Sequence, residues 1–309
     1  MNTTTSPLSA LSAELTTAVA TAAASVAYVD AHPRRDASGI AWDEHHVVTV
    51  EHAIDREDDI ELRLEGGATA RATLIGRDPS TDVALLRTEA HLRPAPRADL
   101  ARLAVGNLVL GIGRDEDGLT GASFGIVSSL DGPWRTWRGG DVDRFVRPDL
   151  SAFPAFSGGP LVDVTGAVVG MNTWGLSRRM ALTLPVTTLE RVVSELASGG
   201  RIRRGYLGVA LQTVRLPEAL RAAYGLTQRT GAIVVDAAPG GPAEHAGISL
   251  GDVIVGLGDV RIEDSEDLAH ALGGAVVGTA RTLRVIRGRE ARDVTVTLAE
   301  RPDHDDATR

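Results

Sequence analysis

The stretch best equipped for chemistry is Phe156-Ser157-Gly158-Gly159-Pro160-Leu161-Val162-Asp163. Two glycines after a serine let the chain turn tightly and pass close to a bound substrate, because residues without a Cβ accept conformations that others resist. The apolar Leu161-Val162 and Ala167 to Met171 that follow place Ser157 on a loop entering a buried strand pair, presented to solvent. Alone, Ser-Gly-Gly is an ordinary turn. A serine hydroxyl becomes a nucleophile only when a general base takes its proton and a third group orients that base.

His52 and Asp82 supply those two groups. His52 follows the apolar run Val47 to Val50 and precedes Ala53-Ile54, at a strand end opening into a short helical turn. Asp82 closes Asp78-Pro79-Ser80-Thr81 and stands before the buried run Val83 to Leu86. Each has a bland alternative, a satisfied core histidine or a turn acid, and their joint occurrence in the order His, Asp, Ser carries the weight. A metal reading of Asp43, Glu44, His45 and His46 is set aside, since adjacent residues at a strand turn project to opposite sides. No metal and no cofactor is expected.

The elements that must hold these residues are short β-rich runs between turn residues. Six of them (25–29, 39–42, 47–50, 60–64, 70–75, 83–86) predict one small antiparallel barrel. Residues 88–103, rich in Pro, Arg and Ala, form a connector. A second six (108–112, 122–128, 145–146, 161–162, 167–172, 181–184) follows it, with 129–149 expected as a long surface loop. An Ala-rich helix with Leu8, Leu11, Leu15 and Val19 on one face precedes the barrels, within an N-terminal segment 1–24. A helix over Thr188 to Leu196 ends the double-barrel part, 25–198, and 203–301 reads as a mixed α+β unit before a polar tail, 302–309.

A chain of 309 residues with 43% hydrophobic residues and 34 glycines suits two or three turn-rich β domains. The net charge of −9, with basic residues scattered among acids, works against a nucleic-acid partner. The absence of cysteine removes disulfides and thiolate chemistry. Residues 1–24 show neither a secretory leader nor a membrane span, so no membrane partner and a cytoplasmic location are expected.

Val50-Glu51-His52-Ala53-Ile54, Asp78 to Leu86, Phe156 to Asp163, Gly125-Ile126-Val127-Ser128 and Gly170-Met171-Asn172-Thr173 together resemble the HtrA-type, trypsin-like serine proteases that carry a PDZ domain. The resemblance runs from about Ser25 to Arg301. It implies a mainly β fold, two six-stranded chymotrypsin-like barrels followed by an α+β PDZ domain, and a serine endopeptidase acting on unfolded or exposed polypeptide. His52, Asp82 and Ser157 would be the catalytic residues, with the N–H groups of Ala155 and Ser157 as the oxyanion hole. By the same resemblance Ser151, Thr173, Trp174, Gly175, Ala181 and Leu182 would line the substrate pocket. Tyr206-Leu207-Gly208-Val209 would bind the carboxylate of C-terminal peptides, beside a helix at Glu266 to Leu272 bearing His270.

Relatives often trimerise through aromatic residues near the N-terminus, and Tyr28 is the one aromatic residue in the first forty here, so a homo-oligomer stays open. Family members typically have glycine where Ala155 stands and often asparagine where Phe156 stands. An alanine relaxing to negative φ would leave the hole with one donor and the resting protein slow; a loop holding it at positive φ would keep the hole intact. The competing reading is a silent homologue that serves as a peptide-binding scaffold.

Overall fold

Alternation of branched apolar residues with turn formers produces strands that are short and strongly paired. The computed structural model describes residues 6–300 apart from 154, 178–179, 201, 203–204 and 274–276, so the tail 302–309 lies outside the described residues. They divide into two compact units, 1–202 and 203–309.

Pro7 opens helix α1 (Pro7–Ala23), where its missing N–H costs nothing. The buried face of α1 is Ala18, Ala22 and Ala23, while Leu8 is 77% exposed and Leu15 and Val19 pack only in part. Small residues are needed because the turn at Gly166 comes close: a Cβ there would lie 2.8 Å from the Ala18 carbonyl oxygen.

The first barrel is β1 (Val26–Asp30), β2 (Ala37–Ala41), β3 (His46–Thr49), β4 (Ile60–Arg63), β5 (Thr69–Asp78) and β6 (Val83–Thr88), closed in the order β1-β2-β3-β6-β5-β4. Val29, Val47, Ile60, Leu62 and Leu86 fill it. β3 and β6 pair antiparallel from His46 opposite Arg87 to Thr49 opposite Ala84, which brings the residues after β3 beside those before β6. His52 and Asp82 become neighbours for that reason.

The second barrel has β7 (Leu108–Arg114) and β8 (Thr120–Asp131), then a small hairpin of β9 (Trp134–Arg135) and β10 (Asp141–Val142). β11 (Phe145–Asp149), β12 (Pro160–Val162), β13 (Val168–Thr173) and β14 (Leu182–Pro185) complete it, in the order β11-β14-β13-β12-β7-β8. Both six-strand sets match the sequence reading. The expected surface loop over 129–149 does not form: β8 runs on to Asp131, the hairpin buries Val142, and β11 begins at Phe145. Glycines and mixed charge hid these strands, whose alternation is too short to register.

Helix α2 (Val186–Gly199) buries Leu189, Val192, Val193 and Leu196, spaced for one face, and Gly200 at φ 71° ends it. In the second unit, β15 (Gly205–Tyr206), β16 (Val209–Arg215), α3 (Glu218–Tyr224), β17 (Thr230–Ala237), α4 (Pro242–His245), β18 (Val253–Leu257), β19 (Val260–Arg261), α5 (Ser265–Gly273), β20 (Ala280–Arg287), β21 (Glu290–Thr297) and β22 (Ala299–Glu300) follow in turn. Its sheet runs β16-β17-β18-β20-β21, so β16 is an edge strand. Buried Asp252 receives Arg287 bidentately at 2.7 Å, and although burial raises its pKa, the guanidinium bonds outweigh that and hold it below the ordinary carboxylate range.

Arg114, at the end of β7, is the main tie between the second barrel and the N-terminal helix. Its guanidinium donates to the carbonyls of Val26 (2.8 Å), Ala23 (2.8 Å) and Gly118 (2.7 Å), and burial lowers its pKa without discharging it. Arg114→Met strands three carbonyls, two of them deep in the unit, and is expected to cost about 2–4 kcal/mol. Calorimetry on the full chain should show the first unit melting several degrees lower, and an unchanged melting temperature would mean that these bonds do not hold the barrel and helix together.

Candidate active site

Glu51-His52-Ala53 forms one turn of 3-10 helix directly after β3. The His52 ring places Nδ1 2.8 Å from Asp82 Oδ2, and its backbone N–H donates to Oδ1 at 3.0 Å. Asp82 is fully buried and sits at φ 59°, a left-handed conformation that aspartate tolerates better than most residues. Its carboxylate also accepts a short bond from Thr173 Oγ1. These bonds hold the carboxylate in place and fix the imidazole, presenting Nε2 away from it.

Beside the pair, Glu51 is itself perturbed. Burial raises its carboxyl pKa and the charge of Asp82 adds to the effect, while Arg138, 3.7 Å away, opposes it. Arg138 comes from the β9–β10 turn and also donates to the Pro79 carbonyl at 3.2 Å; Thr136 Oγ1 donates to Ser80 O at 2.6 Å. The hairpin unforeseen in sequence thus clamps the segment that leads into Asp82.

Ser157 is only 7% exposed, a correction to its expected presentation in solvent. The loop before it is a turn closed by Phe156 N–H to Phe153 O at 3.1 Å, with Ala155 third in that turn at φ 58°. Ala155 is therefore held in the conformation a glycine would take, and the relaxed form that would empty the hole is not adopted. Among the described residues no hydrogen bond consumes the Ala155 or Ser157 N–H.

Ser38 of β2, a residue passed over in sequence, accounts for the restraint. Its Oγ donates to Ala155 O at 2.7 Å and accepts from the Arg114 N–H at 2.9 Å, while its own N–H donates to Ser157 O at 2.9 Å. Thr49 Oγ1 holds the Ser38 carbonyl in turn, at 2.6 Å. Phe156 is buried and meets Phe153 edge to face at 5.5 Å, fixing the loop from beneath.

Residues 173–175 touch each member of the expected triad. Thr173 holds Asp82, the Trp174 N–H donates to Ser157 Oγ at 3.3 Å, and a Cβ on Gly175 would fall 2.3 Å from Asp82 Oδ2 and 2.7 Å from His52 Nδ1. Among the described residues Ser157 Oγ has no bond to His52; it accepts from the Trp174 N–H through a lone pair, which leaves its own proton free to be given. Catalytic contacts of this kind commonly tighten only with substrate in place.

The expected pocket residues divide. Thr173 is fully buried and turned to Asp82, and Leu182 is buried in the core cluster. Trp174 is 41% exposed, and Ala181 is half-buried. Ser151 is exposed and borders a cavity of about 370 Å³ with Gly113, Asp115, Ser123 and Phe153. In the second unit Gly208 has φ 74°, the Leu207 and Gly208 carbonyls accept from Ala243 and Ala238 N–H at 2.9 and 2.8 Å, and the two residues' own N–H groups donate to no described residue. Tyr206 and Val209 flank them in β15 and edge strand β16, against which α5 packs, with His270 exposed on it.

With this geometry in hand, comparison with known proteins is informative. Residues 37–171 match the trypsin-like peptidase domain family and residues 205–298 the PDZ domain family. A probable periplasmic serine endoprotease, DegP-like, of Pseudomonas putida (strain W619) is 33% identical over 266 residues, covering 84% of this chain and 54% of the relative. Its counterpart in Brucella suis biovar 1 is 34% identical over 284 residues, covering 88% and 54%. The chain thus spans about half the length of these curated relatives. Among solved structures, the serine endoprotease from Yersinia pestis is 26% identical with a TM-score of 0.75, covering 93% of this chain and 98% of the other. The HtrA-type protease AlgW with tripeptide is also 26% identical, with a TM-score of 0.73 and coverage of 94% and 98%. The relatives' periplasmic designation overturns the cytoplasmic placement; residues 7–23 are a helix packed into the first unit and carry no information about compartment.

The restraint on Ala155 is open to direct test. Ala155→Gly should relieve about 1–2 kcal/mol of backbone strain, partly offset by the greater freedom of glycine in the unfolded chain, and leave kcat within about threefold. Ser38→Ala should lower kcat by about tenfold to a hundredfold, and adding Ala155→Gly should restore most of it. Peptide hydrolysis by the three variants decides the matter: a large rise in kcat on Ala155→Gly alone would show that alanine empties the hole.

Proposed function

From the chain's membership of the HtrA-type trypsin-like serine proteases with a C-terminal PDZ domain, we propose that it is a serine endopeptidase that cleaves unfolded or exposed polypeptide in the periplasm. The observation that carries the reading is the buried, fully bonded Asp82 carboxylate holding His52 by Nδ1 beside a serine loop with uncommitted N–H groups.

An extended substrate strand enters beside residues 173–175 and brings its scissile carbonyl to Ser157 Oγ as the hydroxyl turns its proton to His52. His52 Nε2 accepts the Ser157 proton as Oγ attacks the scissile carbonyl carbon. The tetrahedral oxyanion is held by the N–H groups of Ala155 and Ser157, aligned in advance because Ser38 fixes the loop. His52 then gives its proton to the departing amine, leaving an acyl-enzyme. Water, deprotonated by the same imidazole, hydrolyses the ester and returns Ser157 to its resting state. Asp82 keeps the imidazole oriented through Nδ1 and stabilises the imidazolium.

The second unit binds peptide by strand addition along β16, with the carboxylate at the Leu207 and Gly208 N–H groups. Full-length Ser157→Ala should bind peptides with a free apolar C-terminus, and C-terminal amidation should weaken them at least tenfold in calorimetric titration; equal affinity would remove the carboxylate site.

A fluorophosphonate probe tests the chemistry itself. Wild type should be labelled at Ser157, and Ser157→Ala should not. His52→Ala and Asp82→Asn should each reduce hydrolysis by about 10⁴-fold or more, without further multiplicative loss when combined. Failure to label wild type even with peptide at the second unit would favour the silent scaffold.

A further inference from the structure

Three metal-ligating side chains meet on the first barrel, away from the serine site. Glu44 and His45 stand in the turn between β2 and β3, and His91 lies three residues past β6. One donor atom from each comes within 4.8 Å of the other two, and all three residues are exposed. We propose that Glu44, His45 and His91 bind one divalent transition metal of the zinc class, which staples β3 to β6.

The two segments are already aligned by the main chain. Thr88 N–H donates to His45 O and Leu92 N–H to Glu44 O, each at 2.9 Å, so bonds on either side of His91 hold it opposite the turn. Leu92 is buried and anchors the segment from below. Asp43 is committed elsewhere: its carboxylate accepts the His45 and His46 N–H groups and the His46 ring at 2.8–2.9 Å. The adjacent histidines do diverge, as strand geometry demands, and His45 finds its partner across the barrel edge.

The three donors do not satisfy one another. Glu44 Oε2 is 3.9 Å from His91 Nδ1, beyond hydrogen-bonding range, and the rings of His45 and His91 meet edge to face with centroids 6.2 Å apart. A tetrahedral ion with bonds of about 2.0–2.2 Å sets its ligands about 3.3 Å apart, so rotamer adjustments of roughly 1 Å close the site. Three protein ligands leave a fourth position to water. Two imidazoles and one carboxylate select zinc, nickel or copper over magnesium or calcium, which prefer all-oxygen shells.

The position has a structural consequence. β3 and β6 carry His52 and Asp82 beyond one end of their pairing and His45 and His91 beyond the other. A metal there secures the register of the strand pair that aligns the dyad, without blocking the serine.

The test uses the full chain carrying Ser157→Ala, which prevents self-cleavage, titrated with zinc sulfate by calorimetry and melted with and without zinc. We expect one zinc per chain and a melting temperature raised by about 5–10 °C when zinc is a hundredfold above Kd. Magnesium should have no effect. Adding His45→Ala and His91→Ala should abolish both signals and leave the zinc-free melting temperature unchanged, since both side chains are exposed. Glu44→Gln, which preserves shape, should weaken zinc about tenfold or more. Absence of a zinc signal in the parent, or binding undiminished in the double variant, would overturn the site.

Discussion

The proposed serine chemistry depends on a constraint that neither barrel meets alone: the proposed base and acid, His52 and Asp82, come from one sheet and the proposed nucleophile, Ser157, from another, and they must agree to within a fraction of an ångström. Ser38 is where that agreement is enforced. One residue of β2 bonds the Ala155 carbonyl, the Ser157 carbonyl and the Arg114 N–H, so the serine loop, which Gly158 and Gly159 also bond to Asn172 of β13, is pinned to both barrels. Thr173 makes the reciprocal tie, reaching from β13 to the acid of the first barrel. With Gly158, whose missing Cβ would sit 1.9 Å from Ser38 O, these contacts leave the loop little room to relax.

That tight hold explains why an alanine can stand at a left-handed position. Two non-glycine residues of the site, Asp82 and Ala155, adopt φ near 60°, and each is held by bonds from outside its own loop. Strain of this size persists only where the surroundings over-determine the conformation. The edge-to-face contact of buried Phe156 with half-buried Phe153 adds packing to the same purpose.

Much of this was legible in the residues. Short branched-apolar runs bounded by turn residues located all twelve barrel strands; β4 alternates, while β2, β13 and β14 are buried along their length, and α2 declared itself by Leu189, Val192, Val193 and Leu196. The hairpin of β9 and β10 was illegible, since two-residue strands have no period to read. α1 packs the expected side, with Leu15 and Val19 against the core, but its deepest burial falls on Ala18 and Ala22 beside them: close approach to a glycine turn favours alanine, a packing fact invisible to hydrophobicity. Ser38 and the true role of Thr173 escaped because a lone hydroxyl in a strand carries no local signal; its meaning lies in a partner more than a hundred residues away for Ser38 and about ninety for Thr173.

The central claim is that the oxyanion loop is preorganised, with Ala155 already in its working conformation. A crystal structure of the phosphonylated Ser157 adduct tests it most directly. The account predicts a phosphonyl oxygen within about 3 Å of both the Ala155 and Ser157 N–H nitrogens, Ala155 φ still near its resting value, and Ser38 Oγ still on the Ala155 carbonyl. An adduct in which the peptide before Ala155 has flipped, or in which the Ser38 bond is broken, would contradict it.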